Sequence, residues 1–351
     1  MIRRALPLFL IVVLCGLGLS CSGDLDGRPA PEDGFKLRVS GSTFVQPLSE
    51  RWFNEYEKLH PEIVADFDGI GSGEGVKQFI AGKTDIGASD YAMTNEEMQQ
   101  VEGGVQLVPV AAGSIVLIYN LPMIDTELKL SRVAYTGIFL GKITRWNDPA
   151  IADANPGLTL PDLDIRIAVR QDSSGTTFAF TNHLNSISDA WEDGPGFGTA
   201  IQWPHKAMAM KAQGNAGVAG IVKQTPGAIG YVELGFAQQV QLPMAVLENK
   251  NGAYIAPSYF SGTTALVSVN MPPNLRLFVP DPDGKDSYPI VTFTWFLLRK
   301  KYDDPKKAAA VKKLVAWCLT EGQRYCEPLG YLRLAPDVAK AARQAAKTIG
   351  P

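Results

Sequence analysis

Three short Gly/Ser/Thr-rich stretches, each set between a strand-like run and a helix-like run, constrain this chain more than any other feature. They are Ser40–Phe44 (SGSTF), Gly69–Gly75 (GIGSGEG) and Arg170–Thr177 (RQDSSGTT). The start of a helix leaves its first N–H groups unpaired and carries a partial positive charge, so it attracts anions. Glycine lets the backbone approach a ligand, and hydroxyls add donors. N-capping alone explains any one such turn. It is a weaker account of three, because capping needs neither two hydroxyls in a row nor an Arg–x–Asp pair just ahead of them. Together the turns read as a cage for a small oxyanion.

The flanking patterns set the fold class. Phe35, Leu37 and Val39 alternate with Lys36, Arg38 and Ser40 as a strand. Val45, Leu48, Trp52, Tyr56 and Leu59 then follow helical spacing, closing at His60-Pro61. Ile63, Ala65 and Phe67 alternate again. Val76, Phe79 and Ile80 make a short helix, Ile86–Asp90 reads as a strand end, and Thr94–Glu97 is a capping box. The pattern repeats further on. Ser114–Tyr119 is an apolar strand, and Ile165, Ile167 and Val169 lead into the third turn. Gly217–Val222 looks like a helix start, Gly227–Val232 like a strand, and Tyr288–Leu298 like a long apolar strand. Asp304-Pro305 opens a final helical stretch that the spacing carries to Gly350. Strands alternating with helices predict an α/β fold around a mainly parallel sheet. There is no internal repeat.

Within the cage, Arg170 ends a strand whose alternate residues are apolar. Its side chain is therefore expected in the crevice at the strand's C-terminal edge, where open α/β sheets bind ligands, with Asp172 orienting it. Asp90 has two readings. It could cap the helix that follows, or it could face the anion. A carboxylate is tolerated there only if the anion brings a proton to share, as phosphate does and sulfate does not. Two like charges about 4 Å apart cost about 4 kcal/mol at an effective dielectric near 20, or roughly a thousandfold in affinity.

Other chemistries fail on their spacing. Gly82-Lys83-Thr84 lacks the earlier glycine of a phosphate-binding P-loop, since Lys77 stands there. Ser72 lacks the glycine two residues before a hydrolase nucleophile. His60, His183 and His205 are scattered and read as structural, with no metal-ligand spacing. The net charge of -3 gives no basic nucleic-acid footprint.

The chain opens Met1-Ile2-Arg3-Arg4, followed by an apolar run from Ala5 to Leu19, then Ser20-Cys21 and a polar stretch. This is a secretory signal pattern, and the run is short for a spanning helix. Cys21 at the break is similar to the lipobox cysteine that bacterial lipoproteins acylate, although Gly18 replaces the usual Leu-like residue; an uncleaved anchor is the alternative. Ser22–Gly34 is rich in Gly, Pro and acid and reads as a tether. Losing Arg3 and Arg4 would leave the mature chain more acidic. Cys318 and Cys326 stand eight apart, about 12 Å along an unbroken helix and too far for a disulfide. A break at Gly322 would allow a disulfide, as suits an exported protein. Otherwise Cys318 belongs to the core face with Val311, Leu314 and Val315. Both readings stand.

From Leu37 to Pro336 the chain resembles the periplasmic phosphate-binding proteins of bacterial phosphate ABC transporters. The resemblance rests on Thr43-Phe44, Gly69–Ser72 with Gly75–Gln78, Gly87–Asp90, Gly141–Ile143, Ser174–Thr176 and Pro226–Glu233 (PGAIGYVE). It implies a two-lobed type II periplasmic-binding fold with the ligand in the cleft between the lobes. The expected divisions are 1–21 signal and lipobox cysteine, 22–34 tether, 35–112 and 289–351 one lobe, and 113–288 the other. It implies phosphate donors from Thr43, Phe44 N–H, Ser72, Arg170, Ser174, Gly175 and Thr176, with Asp90 accepting the phosphate proton. Two residues depart from the family pattern. Ser42 replaces a frequent Ala, and Glu74 replaces a frequent Gly and is expected to face solvent. The expectation is a monomeric, extracytoplasmic binding module without cofactor, metal or catalysis. Its partners would be inorganic phosphate, the permease subunits and the membrane through a lipid on Cys21. A phosphate sensor without a transporter would use the same site, and a phosphate-ester hydrolase would need a nucleophile or metal that the sequence does not offer.

Overall fold

The computed structural model describes residue 31 and residues 34–204, 209–267 and 269–351. The expected signal segment, Cys21, most of the tether and His205 lie outside the described residues.

The chain enters a sheet at β1 (Phe35–Gly41), followed by α1 (Gln46–Leu59), β2 (Ile63–Gly69), α2 (Ser72–Ile80), β3 (Ile86–Ser89) and α3 (Asn95–Gln99). Helix α1 carries Pro47 in its first turn and ends at His60, just before Pro61; its inner face buries Leu48, Trp52, Phe53 and Tyr56. Thr94 caps α3 in a capping box with Glu97. Strands β2, β1 and β3 pair in parallel, with Gly41 opposite Gly69 and Ala88. Three strand ends, and the Gly-rich turns after two of them, therefore meet at one edge.

Strand β4 (Val105–Tyr119) is shared by two half-sheets. The second half follows with β5 (Lys129–Leu130), α4 (Arg132–Phe139), α5 (Pro149–Ala152), β6 (Arg166–Arg170), α6 (Gly175–Ile187) and α7 (Asp189–Glu192). It continues with β7 (Ala209–Ala212), α8 (Gly214–Gln224), β8 (Ala228–Glu233), α9 (Leu234–Val240), β9 (Val246–Glu248), β10 (Tyr254–Ile255) and α10 (Tyr259–Thr264). The chain returns through β11 (Val291–Arg299), α11 (Pro305–Cys318), β12 (Tyr331–Leu332) and α12 (Pro336–Lys347).

The main sheet runs β2-β1-β3-β11-β4-β8-β6-β7, with β12 added beside β4. Residues 105–114 of β4 pair with β11, and residues 115–119 pair with β8. The expectation of a mainly parallel sheet holds only for the outer strands. Strands β4 and β11 run antiparallel to their neighbours, because they carry the chain between the two halves rather than through a crossover helix.

The final stretch is not one helix. After Cys318 the chain makes 3-10 turns at Glu321–Tyr325 and Glu327–Leu329 before β12 and α12. Gly322 packs against Trp52, whose indole N–H donates to the Gly322 carbonyl at 2.7 Å. Pro328 and Gly330 also fall in this break. The break does not join the cysteines: Cys318 and Cys326 are both free and buried. Cys318 lies on the core face of α11 with Leu314 and Val315, and the Cys326 thiol sits 3.9 Å from Gln323 Oε1. The disulfide allowed by the sequence is not formed. Among the described residues no helix is long and apolar enough to cross a membrane.

Candidate anion-binding site

The site is assembled around two buried charged groups. Asp90 follows β3 directly and is 1% exposed. Its carboxylate accepts from Ser42 Oγ at 2.5 Å, Thr294 Oγ1 at 2.8 Å and Ser72 Oγ at 3.3 Å. Its own N–H donates to Ser72 Oγ at 3.2 Å. Burial pushes the Asp90 carboxyl up to about 6, although these hydroxyls and the Arg170 charge pull the other way. Asp90 is therefore not the cap of α3, a role that Thr94 fills.

Arg170, at the end of β6, is also buried. Its Nε donates to Asp172 Oδ1 at 2.8 Å, Nη2 donates to Asp172 Oδ2, and Nη1 donates to Thr176 Oγ1 at 3.3 Å. Burial alone would raise the Asp172 carboxyl, but the Arg170 bonds and charge, with the Gly214 N–H, hold it below its ordinary value. Asp172 thus holds the Arg170 guanidinium at two of its nitrogens.

The two halves of the sheet meet here. Gly73 N–H donates to the Ser173 carbonyl at 3.0 Å. Gly71, at φ +90°, turns the chain tightly into α2 beside Asp172. Gly175, the first residue of α6, lies so close to Ser72 and Asp90 that a Cβ would sit 2.6 Å from Ser72 Oγ and 2.7 Å from Asp90 Cβ.

Thr43, Ser72, Asp90, Arg170, Gly175 and Thr176 are thus linked to one another by contacts across a closed cleft. The Phe44 and Ser174 N–H groups are already engaged, while the Ser174 hydroxyl keeps its proton to donate. Phe44 N–H donates to Ser42 Oγ at 3.0 Å. Ser174 caps α6 by accepting from Thr177 N at 3.0 Å, and its own N–H goes to the Thr199 carbonyl. Ser42 is thereby part of the site, and Glu74 faces solvent near Lys77.

Sequence reasoning missed Asn215 and Thr294. Asn215, at the start of α8, donates from Nδ2 to Thr43 Oγ1 at 3.1 Å and to Thr176 Oγ1 at 3.4 Å. Its Oδ1 accepts from Glu233 N–H at 3.1 Å, which fixes the amide orientation. With their oxygens accepting, both threonine hydroxyls keep a proton to donate. The signal was a fourth strand-to-turn-to-helix junction, Gln213-Gly214-Asn215. Thr294 lay within an apolar strand.

With Asp90 ionised, the two carboxylates outweigh the one guanidinium. The site can then hold an anion well only if a proton comes with it, or if Asp90 takes one up. Donors at helix starts, one clamped guanidinium and a buried carboxylate define a solute-binding cleft rather than a surface ion site.

Residues 27–321 match the PBP superfamily domain. The phosphate-binding protein PstS of Methanocaldococcus jannaschii is 35% identical to this chain, over 99% of this chain and 96% of its own length. PstS of Haemophilus influenzae is 36% identical over 88% of this chain and 92% of its own. The solved structure of a high affinity periplasmic phosphate-binding protein (PfluDING) bound with phosphate superposes with a TM-score of 0.75. It is 20% identical and covers 88% of this chain and 93% of its own, a likeness that shows the shared two-lobed type II fold. The chain belongs to the family of phosphate-binding proteins.

Proposed function

We propose that this chain binds inorganic phosphate outside the cytoplasm and delivers it to the permease of an ABC transporter. The observation that carries this reading is the buried pair of opposed charges, Asp90 under three hydroxyls and Arg170 locked on Asp172. Arg170 and the helix starts attract any oxyanion. Asp90 accepts a hydrogen bond only from an anion that carries a proton. Thr43, Ser72, Ser174, Gly175 and Thr176 supply donors, and the Phe44 N–H joins them when Ser42 turns its hydroxyl oxygen away. Membership of the phosphate-binding family supports the ligand.

The lobes in this reading are residues 35–112 with 289–351, and residues 113–288. They close about the strand segments near 111–113 and 288–291. The body is a monomer held to the membrane by a lipid on Cys21 and a tether over 22–34, and it performs no chemistry on its ligand. Isothermal titration with phosphate and with sulfate tests the core of the proposal. Micromolar or tighter phosphate binding, about -8 kcal/mol or better, with sulfate far weaker, is expected. Equal affinity for the two anions, or release of phosphate from phosphate esters at enzyme-like rates, would overturn it.

A further inference from the structure

Charge is distributed unevenly along this chain. Its net charge is -3, yet residues 299–351 hold twelve Lys and Arg against five Asp and Glu. The cations gather on the outer layer formed by α11 and α12. Between these helices runs a shallow groove of about 250 Å³, walled by Lys312, Lys313, Arg343 and Lys347 over a floor that includes Ala316 and Ala346. Arg343 is held across it by donating from Nη1 to the Leu319 carbonyl at 3.4 Å. The ion pairs of this region are Lys307 with Asp85 and Arg333 with Glu327. Lys312, Lys313, Lys340 and Lys347 take part in none among the described residues. Of the acidic neighbours, Asp304 is occupied in capping α11, while Asp303 and Asp337 sit at the helix starts rather than on the groove.

The position of this layer adds a second observation. Strand β1 begins at Phe35, four residues before Val39, which pairs with Ile86; Ile86 in turn pairs with Leu298. The point where the chain enters the sheet therefore lies at the edge that carries Arg299, Lys300 and Lys301. Lys301 bridges to Gly350, just beyond α12. This edge is opposite the Gly41, Gly69 and Ser89 edge that forms the anion site. The thirteen tether residues from Ser22 to Gly34 reach at most about 45 Å when fully extended.

The geometry points to a docking surface for anionic phospholipid on the α11–α12 layer: the four cations of the groove meet headgroup phosphates, and the alanine floor meets the glycerol region. Four cations around an apolar strip match an interface that is negative outside and apolar beneath. The layer lies beside the edge where the tether leaves, so the tether and the groove reach the same bilayer. The surface does not depend on an acyl chain at Cys21, nor on which anion the cleft takes.

The test uses the chain from Ser22 onward, which keeps every described residue and carries no acyl group. Co-sedimentation is measured with vesicles of phosphatidylcholine mixed with phosphatidylglycerol, and with phosphatidylcholine alone. Binding to the mixed vesicles only is expected, and it should fall steeply with added salt. Each cation near such a surface is worth about fivefold in partitioning. The variant K312Q/K313Q/R343Q/K347Q should therefore lose about 100-fold or more, while K142Q in the other half should match the native chain. Unchanged phosphate titration of the fourfold variant verifies its fold and keeps this proposal separate from the function of the cleft. Should that variant fail to fold, protection of Lys312 and Lys313 from amine acylation by the mixed vesicles serves in the native chain. Equal binding to neutral vesicles, salt-independent binding, native-like binding by the fourfold variant, or no protection would overturn the proposal.

Discussion

Asn215 bridges two threonines that stand far apart in the chain: its amide donates to Thr43 Oγ1 at 3.1 Å and to Thr176 Oγ1 at 3.4 Å. One side chain thereby sets the hydroxyls of two helix-start turns, one from each half of the sheet. Replacing it with Ala removes both bonds and leaves the Glu233 N–H without its acceptor. With each bond worth about 1 kcal/mol, Asn215→Ala should weaken phosphate binding about 10-fold or more by calorimetry. Native-like affinity would mean that the threonines are positioned by other contacts.

Arg170 and Asp90 should respond differently to substitution. Arg170→Ala removes charge-assisted bonds worth about 1.5–3 kcal/mol each, and it leaves Asp172 buried without its partner. It should weaken phosphate and sulfate alike, by about 100-fold. Asp90→Asn keeps size and an acceptor oxygen for one of the Ser42 and Thr294 hydroxyls, turns an NH2 toward the other, and removes the charge. Phosphate should then fall only modestly while sulfate gains relative to it. A phosphate-to-sulfate ratio that stays native in Asp90→Asn would leave Asp90 with a structural role alone.

The raised Asp90 carboxyl also makes a statement about stability. Its folded value of about 6 stands above the ordinary 3.8, so the folded state holds the proton more tightly than the unfolded chain does. Below about pH 4 both states are protonated and Asp90 costs nothing. The cost of its ionised form grows between about pH 4 and about pH 6 and is complete above that. It amounts to about 3 kcal/mol at neutral pH. Without ligand, Asp90→Asn should therefore unfold later than the native chain near pH 7 and close to it near pH 4. Melting curves across this range in phosphate-free buffer test the sign. A stability difference that does not change with pH would contradict it.

Gly175→Ala probes the closed contact itself. Its new methyl group would meet Ser72 Oγ and Asp90 Cβ at under 3 Å, although the helical position accepts Ala readily. The expected result is a chain of near-native thermal stability with phosphate affinity lowered about 10-fold or more. Native affinity would show that the contact relaxes freely.

The Gly/Ser/Thr turns were legible because their residue types are unusual for plain strand-to-helix junctions, and Arg170 was legible from strand alternation. Thr294 was hidden for a related reason. In a strand buried on both faces, such as Val291–Arg299, alternation vanishes and one threonine looks like filler. Strand direction was equally hidden, since a long apolar run is the same whether it pairs parallel or antiparallel. The sequence offered Gly322 as a place for a break after Cys318 but could not show that one forms, because what fixes it is Gly322 packed on Trp52, a contact 270 residues away in sequence.

The pairing of β4 with β11 sets the order in which the molecule can be completed. Val105 is joined to Arg299 and Ser114 to Val291, and Tyr331 then donates to the Phe44 carbonyl at 2.6 Å. The first half of the sheet thus lacks a central strand until the ribosome has made nearly the whole chain. Contacts of such sequence separation fold slowly. A nascent chain of this design stays unlocked through most of its synthesis, and its anion site is incomplete until β11 has brought Thr294 to Asp90.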